Sequence, residues 1–322
     1  MYILYGVNGE GMGHAMRSAE IIKGLKETNE LKIITGGRAS DYLKKFGNLR
    51  KVSHLSFVSR NGKINYLMTA ILNLVKLPIF LYHFLTNFFM CIIKRPKIII
   101  TDFEPLTAYL GLALRIPVLS FDNQHIVTDT EIPPIKGISS KLLYKIVVYL
   151  MIPFPRKKII TTFFYPKIIK KNTIFTKPVV REVIIKQKSK SSSYFLIYLS
   201  LKNDKLLEKL KKLNVNCIVY GKTNLKSSKY MKIKKFDEKQ FAYDLANARA
   251  VISNAGMTTL TESIYLKKPI LCIPIEDQVE QELNAYYIEK KGYGLSREKI
   301  DQNTIKKFLT NLEFYKKNLK KN

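Results

Sequence analysis

Short runs of β-branched and apolar residues recur along this chain, each followed by a stretch with helical spacing, and that alternation limits what it can fold into. Tyr2–Tyr5, Leu31–Thr35, Lys97–Thr101, Val118–Phe121 and Lys158–Thr162 form one set. Tyr194–Leu199, Cys217–Tyr220, Ala250–Ser253 and Ile270–Ile273 form a second. Near-continuous apolar strands are buried on both faces, which is the condition of a parallel sheet covered by crossover helices. Two sets predict two doubly wound, Rossmann-like α/β domains, which 322 residues are enough to build. The polar stretch Lys186–Ser193 reads as the linker, giving an N-terminal domain over 1–185 and a C-terminal one over 186–302. The tail, 303–322, reads as a basic helix packing back toward the N-terminal domain.

One segment disturbs the alternation. Ile64–Ile93 is thirty residues long with Lys76 as its only formal charge, enough by length to span a bilayer. Asn73, Lys76, Pro78, His83 and Asn87 interrupt it, and it lies between strands of one domain, so a span would divide a sheet across the membrane. The expectation is an aromatic-rich helix or kinked pair, one face on the sheet and the rest offered to a membrane surface; a fully buried helix is the alternative. The adjoining Lys94-Arg95-Pro96-Lys97 suits anionic headgroups. The chain as a whole carries 55 Lys and Arg against 25 Asp and Glu, a net charge of +30. That field favours anionic partners, but a Lys-rich composition accounts for it equally, so charge alone selects none. Cys91, Cys217 and Cys272 each sit in an apolar run and read as buried thiols in a reducing compartment. The first residues are a strand leading into a glycine loop, with no secretory signal. This predicts a cytoplasmic protein, peripheral on the inner face of the cell membrane.

The chemistry concentrates in two places. In Ala250-Val-Ile-Ser-Asn-Ala-Gly-Met-Thr-Thr-Leu-Thr-Glu262 a strand ends at Ser253, a small-residue turn follows, and a helix opens near Met257. Backbone N–H groups and the positive end of the helix dipole then face the loop mouth, which suits a phosphate. Gly256 admits a diphosphate close to the backbone, Thr258 and Thr259 add hydroxyl donors, and Glu262 is placed for a ribose diol. Past Pro274, Asp277, Gln278, Gln281 and Asn284 gather at a strand's C-terminal end; such groups can bond sugar hydroxyls. The second place is Gly6-Val-Asn-Gly9-Glu-Gly11-Met-Gly13-His14-Ala-Met-Arg17, a glycine turn between strand and helix. Its spacing is not that of a dinucleotide fingerprint, and Gly36-Gly37-Arg38 stands where the ribose acid of that fold would follow.

The Asn254–Glu262 turn with Pro274 to Asn284-Ala285 resembles the C-terminal domain of GT-B glycosyltransferases, where Gly-Gly-x-x-T-x-x-E precedes P-x-x-x-x-Q-x-x-N-A. The turn at Gly11-Met-Gly13-His14 with Arg17 is similar to the acceptor-facing loop of the peptidoglycan lipid-intermediate N-acetylglucosaminyl transferase and its relatives. GEGMGHAMRS, Thr101-Asp-Phe-Glu-Pro105 and Phe121-Asp-Asn-Gln-His125 resemble a largely uncharacterised archaeal and bacterial group of glycosyltransferases across most of the chain. The resemblance implies a GT-B fold of two domains facing across a cleft. It also implies a nucleotide-sugar substrate, UDP-linked, with no metal and no other cofactor, and inverting transfer to a lipid-linked or glycan acceptor. Donor contacts would fall to Ser253, Asn254, Gly256, Thr258, Thr259, Glu262, Asp277, Gln278, Gln281 and Asn284. Ala255 replaces the first glycine of the pair, which leaves that phosphate contact open.

A transfer of this kind needs a base for the acceptor hydroxyl. His14, at a helix N-terminus, is the first candidate, since the dipole favours neutral imidazole; Asp102 and Glu104, just past a strand end, are the second. Asp122 and His125 are candidates to hold the acceptor or orient the base, and Arg17 to support a diphosphate or an anionic acceptor. Two other functions remain open at this point: a GT-B sugar-nucleotide epimerase, and a basic protein binding anionic polymer or nucleic acid. The apolar segment disfavours the first, and the polar set Glu262 to Asn284 disfavours the second.

Overall fold

A computed structural model describes residues 1–56, 58–60, 63–134 and 138–321. The chain divides into two units, Met1–Val179 and Val180–Asn322. Strands of the first are β1 (Tyr2–Val7), β2 (Glu30–Thr35), β3 (Leu49–Lys51), β4 (Ser59–Arg60), β5 (Lys63–Ile64), β6 (Ile98–Asp102), β7 (Val118–Asp122), β8 (Lys157–Thr161) and β9 (Thr173–Thr176). Those of the second are β10 (Phe195–Leu199), β11 (Cys217–Gly221), β12 (Met231–Lys234), β13 (Ala250–Ser253), β14 (Ile270–Cys272) and β15 (Gly294–Ser296).

The first unit is built on a seven-stranded sheet in the order β3-β2-β1-β6-β7-β8-β9, every neighbouring pair parallel. Alternation along the strands sends side chains to opposite faces. Ile3, Tyr5, Val7, Leu31 and Ile33 meet Ala15, Ala19, Ile22, Ala39 and Leu43 of the helices Met12–Lys26 and Gly37–Leu43. Leu4, Ile34 and Ile99 meet Cys91, Leu106 and Leu110 of the helices Leu77–Ile93 and Pro105–Leu114. Both faces are covered, which is why the strands read as unbroken apolar runs. The order turns outward in both directions from the β1–β6 pair, and ligands of such sheets gather at the C-terminal strand ends beside that point.

The second unit repeats the plan with six parallel strands, β12-β11-β10-β13-β14-β15. The helix Glu238–Asn247 buries Phe241 and Leu245 on one face, while Asp204–Lys212 buries Leu206, Leu207 and Leu210 on the other. The division of the chain falls ahead of Lys186–Ser193. That stretch belongs to the second unit, because Ile184 joins its core and Lys190 and Ser192 bond Ala246 and Asn247 through the backbone. The tail is two helices, Gln302–Thr310 and Leu312–Lys320, whose Phe308, Leu312 and Tyr315 enter the core of their own sheet.

The apolar segment is a kinked pair, Tyr66–Val75 and Leu77–Ile93, bent by 52°. Pro78 in the first turn of the second helix suits a start and not a continuation. Phe80, Phe84 and Phe88 pack on the core, whereas Leu81, Tyr82, Leu85, Phe89 and Ile92 are exposed. Among the described residues no single helix is long and apolar enough to cross a membrane, though the bent pair is by length and composition.

Candidate active site

In the first unit, neighbouring strand ends bring the loops after β1, β6 and β7 together: Val7 is in register with Asp102, and Thr101 with Ser120. Gly6 lies where the helix Pro105–Leu114 passes closest, and a Cβ there would fall 2.1 Å from Thr107 Oγ1. Gly11 takes φ +80°, in the region that favours glycine, and turns the chain into the helix Met12–Lys26. The helix then places His14, Arg17 and Ser18 on one face, the i, i+3, i+4 spacing, against the end of β6.

Asp102 is the hub of that face. Its Oδ1 lies 2.7 Å from His14 Nδ1, and Arg17 donates to it as well. Its Oδ2 accepts from Arg17 Nε at 3.1 Å and from Ser18 Oγ at 2.8 Å. Burial alone would raise the Asp102 carboxyl, but the Arg17 charge and then His14 outweigh it and hold it at about 2. An ionised carboxylate oxygen at 2.7 Å requires a proton on His14 Nδ1, so this nitrogen donates, and in the neutral ring Nε2 is the one with the acceptor lone pair. Arg17 Nη2 also comes within 3.2 Å of Nδ1, but two donors do not bond each other, and its hydrogens go to Asp102. The His14 side chain is 17% exposed, and the Gln124 amide nitrogen stands 3.5 Å from Nε2.

This separates the three base candidates. His14 alone of the three keeps part of its side chain exposed. Asp102 is fully buried, with bonds from three side chains, His14, Arg17 and Ser18. Glu104 is spent locally: its two oxygens accept from the backbone N–H groups of Leu106 and Thr107 and cap the helix Pro105–Leu114. Burial pushes its carboxyl up to about 7. Asp122 and His125 pair with one another. Asp122 accepts from His125 Nδ1 at 2.7 Å and from the His125 backbone N–H at 3.0 Å, and both side chains are buried. They brace the β7 loop that carries Gln124, and their side chains make no hydrogen bond to His14. Arg17 serves Asp102 and is buried with it.

In the second unit, Ser253 ends β13 and the helix Met257–Tyr265 begins after Gly256. As N-cap residue Gly256 brings no side-chain bond to the first turn, and a Cβ on it would meet nothing closer than Asn254 O at 3.9 Å. Thr258 is half-buried at this end and Thr259 is buried. Several of the expected donor-site residues bond within the protein. Asn254 Oδ1 accepts from the Ser200 N–H at 2.8 Å and its Nδ2 donates to Ile273 O at 2.8 Å, tying the ends of β10 and β14 together. Gln281 Oε1 accepts from the Ile275 N–H at 2.9 Å. Asn284 is fully buried and donates to Ala255 O at 3.0 Å, while its own Oδ1 has no hydrogen-bond partner among the described residues. Asp277 and Gln278 are half-buried at the start of the helix Val279–Lys290, Asp277 with φ +65°. Ser253 Oγ bonds the Asn254 carbonyl.

Glu262 has a buried partner of its own. It is 1% exposed and held in a two-bond fork by Arg181, Nε to Oε1 at 2.5 Å and Nη2 to Oε2 at 2.8 Å. Arg181 carries no sequence signal, since nothing around Pro178-Val-Val-Arg181 marks an arginine that will be buried. The i, i+4 spacing from His14 is the one signal that points to Ser18. Ser200 follows a strand end, the ordinary place for a loop residue.

Solved structures share the whole fold. The glycotransferase of kitacinnamycin superposes with TM-score 0.71 at 12% identity, over 99% of this chain and 92% of that one. MurG of Acinetobacter baumannii gives 0.60 at 14%, over 99% and 93%. Two parallel-sheet α/β units of this kind are the GT-B architecture, the fold these neighbours share. More narrowly, the chain belongs to the family described as Glycosyl transferase family 1, which matches residues 1–313. Among curated relatives, a UDP-N-acetylglucosamine--N-acetylmuramyl-(pentapeptide) pyrophosphoryl-undecaprenol N-acetylglucosamine transferase of Bacillus cereus is 36% identical over 81 residues. That match covers 22% of this chain and 23% of the relative's length. An uncharacterized glycosyltransferase of Methanosarcina acetivorans is 38% identical over 66 residues, 20% of this chain and 17% of the relative.

Proposed function

We propose that this protein transfers a hexose or N-acetylhexosamine from a nucleotide sugar, UDP-linked, to a lipid-linked or glycan acceptor at a membrane surface, with inversion. The single observation that carries the reading is the His14–Asp102 pair: a buried, ionised carboxylate fixes the proton on Nδ1 and leaves Nε2 to accept one. In the proposed step His14 Nε2 takes the acceptor hydroxyl proton and the oxygen attacks the anomeric carbon. The bond from that carbon to the diphosphate breaks, and the nucleoside diphosphate leaves. The N–H groups behind Gly256, with Thr258 and Thr259, would bind the diphosphate and meet the charge that develops on it. Asp277 and Gln278 are the remaining half-exposed groups for the sugar hydroxyls, with Ser253, Asn254, Gln281 and Asn284 shaping the loop behind them.

The donor and acceptor classes draw on the relatives: the Bacillus cereus protein is named for UDP-N-acetylglucosamine and an undecaprenol-linked acceptor, and one neighbour of similar fold, at 14% identity, was solved with thymidine diphosphate. In this reading the second unit binds the donor and the first the acceptor, and the exposed side of the kinked pair meets the membrane. The test is transfer and donor hydrolysis with UDP-N-acetylglucosamine and related nucleotide sugars. His14→Ala lowers turnover by about 10²-fold or more with donor affinity unchanged. Near-normal turnover would remove His14 as the base, and a wild type that binds no nucleotide at about millimolar concentration would remove the donor site.

A further inference from the structure

Arg17 is 6% exposed and lies about one helical turn beyond His14, on the same face of the helix Met12–Lys26. Its Nε and Nη2 both donate to Asp102, one to each carboxylate oxygen. His14 Nδ1 adds a second bond at Oδ1, and Ser18 Oγ adds a second at Oδ2. A carboxylate offers two acceptor positions on each oxygen, so these four bonds fill it. Two of the four come from one rigid guanidinium, which fixes the plane of the carboxylate and keeps Oδ1 turned to the imidazole.

Charge acts together with this geometry. Asp102 is wholly buried, and burial favours the neutral acid; the Arg17 charge is the foremost effect that opposes it. Tyr5, on the neighbouring strand, is pushed up by burial and stays a neutral phenol. From the β7 loop the uncharged Gln124 amide faces His14, while Asp122 and His125 pair with each other. A protonated Asp102 would reverse the bond at 2.7 Å. Its O–H would donate to Nδ1, and the ring proton would sit on Nε2. The nitrogen that is to take the acceptor proton would then already carry one.

We infer that Arg17 is a positioning residue for the base: acting through Asp102, its fork keeps the His14 ring proton on Nδ1 and leaves Nε2 as the accepting nitrogen. The inference rests on His14 as the base proposed above. It is tested on the full chain by two measurements. Nitrogen NMR of labelled histidine at about pH 8.5, above the ordinary histidine range, reports which ring nitrogen carries the proton. His14→Gln removes one of the four histidine signals and so identifies that of His14. The wild type carries the proton on Nδ1, and Arg17→Gln moves it to Nε2. The second measurement is steady-state transfer. Arg17→Gln lowers kcat by about 10²-fold, and Arg17→Lys, which keeps a charge without the fork, by about 10-fold; the donor KM stays within about twofold in both. A ring proton still on Nδ1 in Arg17→Gln overturns the inference, and so does a normal kcat in either variant. If Arg17→Gln does not fold, Arg17→Lys carries the test, and a normal kcat there overturns it. A wild type with the proton on Nε2 removes His14 as the base and this inference with it. If the proton moves as expected but the wild type turns over no nucleotide sugar, the proposed transfer fails while the control of His14 by Arg17 stands.

Discussion

At the scale of single residues, the carboxylates of this chain divide by what surrounds them, and that division is testable through pH. Asp102 is held at about 2 against an ordinary 3.8, so the folded state binds its proton less readily than the unfolded chain. Its contribution is therefore fully present above about pH 4 and is lost as the pH falls through about 2; the shift corresponds to about 2 kcal/mol. Urea unfolding followed between pH 5 and 2 shows this loss in the wild type, and Asp102→Asn abolishes that part of the slope. The substitution also leaves Arg17 buried without its charge partner, at a cost of about 3–5 kcal/mol measured at neutral pH. The sequence announced His14 and Asp102 separately and could not announce them as a pair, because 88 residues separate them and only the β1–β6 register brings them together. Glu262, Gln281 and Asn284 show the complementary limit. Residue type and spacing marked them as polar groups at a strand end, but whether each faces out or in depends on partners such as Arg181 that spacing does not reveal.

At the scale of elements, two glycines beside strand ends make opposite demands. Gly6 is required by packing: a methyl would run into Thr107, and Gly6→Ala lowers stability by about 1–3 kcal/mol in urea unfolding as the helix Pro105–Leu114 is pushed away. Gly256 has no such close neighbour, since a Cβ there meets only Asn254 O, at 3.9 Å. Gly256→Ala leaves stability within about 0.5 kcal/mol and, on the proposed function, weakens UDP binding by about 10-fold, because the methyl stands where a diphosphate approaches the helix. Unchanged UDP affinity in that variant would move the diphosphate elsewhere. The strands tell a related story about legibility. All nine expected strands are present, and the four parallel strands that escaped expectation, β3, β9, β12 and β15, are the edges of their sheets. An edge strand pairs on one side only, is short, and tolerates charge, as Leu-Arg-Lys in β3 and Met-Lys-Ile-Lys in β12 illustrate. The apolar-run signal comes from burial on both faces between two neighbours, and edges do not generate it.

At the scale of the molecule, charge and apolar surface coincide. Residues 42–101 contain ten Lys or Arg and no Asp or Glu, and the exposed faces of the kinked pair lie inside that interval. Vesicle flotation tests the combination: the protein floats with anionic vesicles more than with neutral ones, and the double substitution Leu85→Glu, Phe89→Glu abolishes flotation while nucleotide affinity is kept. Equal failure on both vesicle types by the wild type removes the membrane from the proposal. The one charge within the pair, Lys76, sits at the bend and donates to Ser56 Oγ at 2.8 Å, within its own unit. One rod laid on a surface can still roll about its length; two rods joined at 52° cannot. A bilayer that receives both helices thus sets the tilt of the first unit as well as its distance. His14 would then meet acceptors at a constant angle, and the search for substrate would become one of lateral diffusion in two dimensions.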